Sequence, residues 1–367
     1  MAKGPALTLA ELNRATLARQ MLLERAGASP LQAVEQLCGL QAQLARPPFV
    51  ALWSRLASFA RGDLAALALG RQVVRGTFYR GTLHLVSSTD YVRFRPVLQP
   101  LLDGGLVHVK DHLAELQLDA TLQAARALLD ERPRAFDEIR TALVDQGLPG
   151  NERAMGLAVR MLMPLVQLPS DAAWGWDGKA PFAAAETWLG RSIQADEAGL
   201  PALVLRYLAA FGPASVADAG AWSGMKGLRS VFDALRPRLL TFQDPAGREL
   251  FDLPDAPRPP ADTPVPARFL PEFDSVVLGH DDRGRFMDRE HRARVVSKNL
   301  QVAATFMLDG RVAGTWKVER RRRVATLLLQ PFRPLSRREV KALEAEALPL
   351  LEFIEPDAAD RAFQVAE

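Results

Sequence analysis

The sequence predicts an α+β protein, mainly α with β: three tandem units on the winged-helix plan, then a small C-terminal antiparallel sheet or barrel. Three observations predict it. Helix-periodic segments come in sets closed by strand-like or turn-rich stretches, and the set recurs three times before residue 255. Seven prolines between Pro254 and Pro271 then impose an extended linker. Beyond them, Asp309-Gly310 stands between two apolar runs, a strong signal for a two-residue hairpin. At 367 residues the chain exceeds one simple core. The divisions expected are 1–100, 101–190, 191–255 and 256–367.

In the first unit, Thr8 and Glu11 make a capping box, and Leu12, Ala15, Ala18 and Leu22 share one helix face. Ser29 caps a second helix, with Pro30 at its first position and Gln32 completing the box. A third helix is expected over 49–59 and a short one over 64–69. Val73 to Ser87 is rich in β-branched and aromatic residues and reads as a strand pair.

The second unit reads as helices over 122–129, 136–146 and 152–163, with the polar, Trp-bearing stretch 169–177 in place of a wing. The third has helices over 201–210, 215–223 and 226–235, then a hairpin over 239–253 turning at Asp244-Pro245-Ala246-Gly247. After the linker, strands are expected over 301–308, 311–318 and 324–329. An amphipathic helix over 335–348 stops at Pro349, and a polar tail follows.

No apolar run reaches membrane-spanning length, and the N-terminus lacks the layout of a signal peptide, so the cytoplasm is expected. One cysteine, Cys38, excludes an internal disulfide and a Cys-based zinc site; packing suits it better than nucleophilic duty. His108 and His112 have the i,i+4 spacing of a helical metal pair but no completing ligand, so no metal is expected. Phosphate-binding glycine loops and nucleophile elbows are absent. Charge is uneven. Residues 283–341 hold 16 Lys/Arg against 5 Asp/Glu, a net of +11, which leaves −8 on the rest. That polarity suits a polyanion bound on one side, or equally a solvated basic face.

The stretch richest in chemistry is Leu37-Cys38-Gly39-Leu40-Gln41-Ala42-Gln43-Leu44-Ala45-Arg46-Pro47-Pro48. Pro-Pro is expected to prevent a return to helix. In extended backbone, residues i and i+2 share a face, so Gln41 and Gln43 could hold one water between a carbonyl oxygen and an NH2 group. The plain alternative is two solvated surface amides.

Gly39-Leu40-Gln41-Ala42-Gln43, followed by Val74-Arg75 and Arg80-Gly81-Thr82-Leu83-His84, resembles the winged-helix DNA glycosylases of the AlkZ/YcaQ type. Further matches are Gly212-Pro213-Ala214 with Asp218, Ala221-Trp222-Ser223-Gly224, Leu270-Pro271-Glu272-Phe273-Asp274 and His280-Asp281-Asp282-Arg283. The resemblance covers nearly the whole chain. Its motifs are short, and their order along one chain is what tells. Gln43 stands where another branch of the family has Asp.

The resemblance implies a monofunctional glycosylase of DNA repair that acts on cationic N-alkylated purines in double-stranded DNA, with interstrand crosslinks a further substrate class. Gln41 and Gln43 would be catalytic. Arg75, Arg80, Thr82, His84, Arg283, Arg320, Arg321, Arg322 and Arg323 would contact DNA. No cofactor is implied, and a nucleoid-associated monomer is expected. The chemistry agrees with the motif: an amide orients water but is a poor base, so a leaving group that departs neutral is needed. The rival reading is a non-catalytic tandem winged-helix DNA binder or transcription regulator; a protein-interaction scaffold is a third.

Overall fold

The computed structural model describes residues 4–366 as an α+β chain with three sheets. The strands are β1 (Leu40–Gln41), β2 (Val73–Thr77), β3 (Leu83–Ser87), β4 (Leu165–Gln167), β5 (Phe182–Ala184), β6 (Leu240–Gln243), β7 (Glu249–Asp252), β8 (Arg268–Leu270), β9 (Thr305–Leu308), β10 (Arg311–Arg321), β11 (Val324–Pro331) and β12 (Asp360–Val365). One sheet runs β1-β3-β2-β4-β5, the second β12-β11-β10-β9-β8, and β6-β7 form a hairpin. The first sheet thus joins strands from residues 40–87 with strands from 165–184.

Local chemistry sets the first helices. Helix α1 (Leu9–Arg19) starts at the reciprocal Thr8–Glu11 box, and α2 (Pro30–Gln36) at the Ser29–Gln32 box. Leu12, Ala15 and Leu17 of α1 are buried. Then α2 ends in a left-handed turn, Cys38 at φ 57° and Gly39 at φ 87°. A side chain at 39 would sit 2.6 Å from Val86 Cγ1, so the turn onto β1 needs glycine for space as well as for angle.

Two proline expectations are corrected. Pro47-Pro48 does not end helical structure; it opens α3 (Pro47–Arg55), where the missing N–H groups would have had no intrahelical partner. Pro349 does not stop the last helix, which runs Arg337–Ile354. Leu343, Ala347, Leu350, Leu351 and Ile354 bury one face of it against the C-terminal sheet. Burial of the four large side chains, about 1.5–3 kcal/mol each, outweighs the roughly 3 kcal/mol cost of an interior proline.

The C-terminal sheet also departs from expectation. It is mixed, because the segment expected as a polar tail forms β12 and pairs in parallel with β11. The stretch 169–177 forms no strand; its Trp176 is buried and donates from Nε1 to Gln167 O at 3.1 Å. His108 and His112 lie on two successive short helices, Gly105–Val109 and Lys110–Leu113, rather than on one.

The largest core cluster surrounds the helix Gly199–Phe211 and includes Tyr79, Tyr207, Phe211 and Trp222. No described helix is long and apolar enough to cross a membrane.

Candidate active site

The candidate site forms where β1 meets β3. Gln41 pairs directly with His84, so both side chains leave the same face of the sheet. Both are buried, at 8% and 3% exposure. Gln43 lies just past the strand, half-buried, and its Oε1 accepts from Leu83 N at a long 3.4 Å.

Arg80 organises this row. It sits at the β2–β3 turn with φ 54°, a conformation uncommon for a residue with a β-carbon. Its Nη2 donates to Gln41 Oε1 at 2.7 Å and lies 3.4 Å from His84 Nε2, and its Nη1 donates to Trp222 O. His84 Nδ1 donates to Thr82 O at 3.1 Å, leaving Nε2 as the acceptor toward Arg80. Burial, then the neighbouring Arg80 charge, pushes His84 well below the ordinary histidine value, so the ring is neutral at pH 7. Burial also brings Arg80 down to about 10, with Arg283 adding to the fall.

These contacts assign work to the remaining motif residues. Trp222 packs 4.2 Å from Tyr79, and its carbonyl anchors Arg80. Gly224 ends that helix at φ 84°, and a β-carbon there would meet Arg80 Cα at 3.0 Å. Asp218 accepts from Ser215 at its helix start and from Asp281 N at 2.9 Å, tying the 280–283 segment to that helix. Cys38 is buried with Sγ 3.4 Å from the Tyr79 hydroxyl, and burial pushes its thiol up to about 12, which leaves it no nucleophilic role.

Several residues expected to contact DNA face inward. Arg75 is buried and braces the motif backbone, donating to Ala42 O at 2.8 Å and Gln43 O at 3.2 Å. Thr82 Oγ1 closes the turn onto Tyr79 O. Arg80 and His84 serve the Gln41 row, as above. Arg283 instead has Nε and Nη1 covered with no acceptor among the described residues. Arg321 projects from the end of β10, its side chain 90% exposed, while Arg320 is bound to Glu355 at 2.6 Å. Arg322 and Arg323 make the tight turn into β11.

Sequence reasoning missed Arg160, on the helix Glu152–Leu162. It has no hydrogen-bond partner among the described residues, and its Nε is buried. Burial, and after it the Arg160 charge, brings Arg75 down to about 10. No motif marked Arg160, because one arginine on an amphipathic helix looks like any solvated residue. Beside Arg80 lies a cleft of about 540 Å³, lined by Leu101, Leu102, Met161, Met225, His108 and Lys226 among others.

The family model for AlkZ-like DNA glycosylases matches residues 34–353, and the chain belongs to that family. It is a DNA glycosylase, an enzyme that hydrolyses the N-glycosidic bond between base and sugar, and its substrate is DNA. A curated relative, the interstrand DNA cross-link repair glycosylase of Streptomyces sahachiroi, is 26% identical over 352 residues, covering 90% of this chain and 92% of that protein. The solved structure of S. sahachiroi DNA glycosylase AlkZ superposes with a TM-score of 0.79 at 20% identity, covering 98% of this chain and all of that one, and so shares its fold.

Proposed function

We propose that this glycosylase releases purines made cationic by alkylation at N7 or N3, and that it unhooks interstrand crosslinks built on such purines. Such a purine leaves as a neutral molecule without prior protonation, and neither amide of the motif could supply that proton. The observation that carries this reading is the Arg80–Gln41 hydrogen bond at 2.7 Å. With its carbonyl oxygen engaged by Arg80, Gln41 has its NH2 left to donate, while Gln43 Oε1, held only by a 3.4 Å contact, remains an acceptor. Gln41 would donate to water and Gln43 would accept from it. The relative's action on interstrand cross-links supports the bulkier substrates, and the 540 Å³ cleft beside Arg80 has room for a large substituent.

In this reading Arg283 and Arg321 to Arg323 meet phosphates, and Arg75 and Arg80 act by holding the motif. The divisions 1–100, 101–190 and 191–255 are winged-helix units that present the β1–β3 edge to the duplex, and 256–367 supplies the basic face. The protein works as a nucleoid-associated cytoplasmic monomer. The test is release of N7-methylguanine from duplex DNA under single turnover, followed by crosslink opening on a gel. DNA binding with a sequence-specific footprint and no base release would instead favour a tandem winged-helix regulator.

A further inference from the structure

Glu272 follows β8 in the run Leu270-Pro271-Glu272-Phe273-Asp274. Its Oε1 accepts from Arg46 Nη2 at 2.6 Å, which fastens it to the segment just after Gln43. Its Oε2 is covered from solvent and accepts from nothing among the described residues. A buried carboxylate oxygen without a donor is costly and calls for an explanation.

Gln41 and Glu272 both line a cavity of about 10 Å³, together with Pro47, Pro48, Pro271 and Phe273 among others. That is room for one water. The loop carrying Glu272 is strained into place. Phe273 has φ 60°, and Asp274 is locked by Arg55 through two hydrogen bonds of 2.9 Å, so the loop cannot relax away. Around Glu272 the charged groups are Arg46 at the start of α3 and the Arg55-neutralised Asp274; beyond Gln41 stand Arg80 and the neutral His84.

We propose that Glu272 is the general base that the amide pair lacks. A water held between Gln41 Nε2 and Glu272 Oε2 receives a hydrogen bond from the amide and donates one to the carboxylate. As the N-glycosidic bond breaks, its electron pair leaves with the neutral purine. The water oxygen bonds to the anomeric carbon, its proton passes to Glu272, and the carboxylic acid returns that proton to solvent. The proposal rests on Gln41 standing at the reacting centre.

The experiment is single-turnover release of N7-methylguanine from about pH 4 to 8, with duplex affinity and thermal midpoint measured alongside. The parent should slow toward the acid end of this range, and Glu272→Gln should be slowed about 10²-fold at neutral pH and lose that acid limb; a parental rate that is flat across the range would overturn the assignment. Arg46→Ala breaks the same ion pair yet keeps the carboxylate, and should keep the limb. Glu272→Asp, which moves the group back by one methylene, should be slower and keep it too. Parent-like rates in Glu272→Gln, or slowing with the acid limb intact, would overturn the assignment. Loss of the limb in Arg46→Ala, with a matching fall in thermal midpoint, would overturn it as well, since the pair would then be structural. Gln41→Ala at the parental rate would sink the motif reading instead, whatever Glu272 does.

Discussion

Arg80 donates from Nη2 to Gln41 Oε1 at 2.7 Å and from Nη1 to the carbonyl of Trp222, so one guanidinium sets the orientation of an amide against a helix 142 residues away. Arg80→Ala should free the Gln41 amide to flip. Base release should fall about tenfold to 10²-fold with duplex affinity nearly kept, because the loss falls on the transition state. Arg80→Lys should not rescue, since a point charge cannot reach both acceptors as the planar fork does. Equal losses in affinity and rate would return Arg80 to phosphate binding.

The β10–β11 turn gives the second prediction. Arg320 is held by Glu355 at 2.6 Å, while Arg321 is 90% exposed with only a long 3.8 Å pairing to Glu319, so Arg321, Arg322 and Arg323 are the better placed to meet phosphates. Replacing those three with Ala should weaken binding to any duplex alike and reduce the slope of log affinity against log salt by about 2 to 3. Arg320→Ala alone should change it less. An unchanged slope in the triple variant would move the phosphate contacts elsewhere, with Arg283 and Arg160 next to be tested.

The third concerns acid stability. His280 is buried, its Nε2 is 2.9 Å from Phe211 O, and burial, with Arg285 adding, pushes it down to about 3. Unfolded, it would take up a proton near pH 6.5. Between those values the unfolded chain binds the extra proton, so His280 lowers stability as pH falls from about 6.5 toward 3. Asp218 acts at lower pH. Against the opposing pull of burial, Arg285 and the Ser215 hydrogen bonds hold its carboxyl below the usual value, so the stability it contributes is lost only as pH falls below about 4. Urea midpoints at pH 7 and pH 5 should differ in the parent, and the difference should shrink in His280→Gln. The same gap in both proteins would contradict the assignment.

What was legible in the sequence is what short-range chemistry decides. The capping boxes at Thr8 and Ser29 need only residues three apart, and Asp309-Gly310 turns β9 into β10 on its own. Long-range pairing was not legible. Strand β12 joins β11 in parallel only after an 18-residue helix has crossed the sheet, and nothing in its polar sequence announces a partner. Pro47 and Pro349 look like stops in sequence because a proline reports only its own missing N–H and not which side the helix is on. In the site, Gln41 and Gln43 stood out as a pair. Glu272 lies 226 residues from its partner Arg46, and only the fold brings it beside Gln41.

The last prediction concerns Gln43. If the two amides share one water, Gln43→Ala and Gln41→Ala should each lose about 10²-fold in base release with little change in duplex affinity. The double variant should lose far less than the product of the two, because both act on the same molecule. Gln43→Asp replaces an acceptor amide with a carboxylate and reproduces the motif of the family's other branch. It should retain release of N7-methylguanine. Combined with Glu272→Gln, it should restore both rate and an acid limb, since either carboxylate could then take the proton from water. The measurement is single-turnover release across pH for the parent, the four single variants and the two doubles on one duplex. Parent-like rates in both alanine variants would take the motif out of the chemistry, and a failure of Gln43→Asp to rescue Glu272→Gln would mean that the two positions do not face the same water.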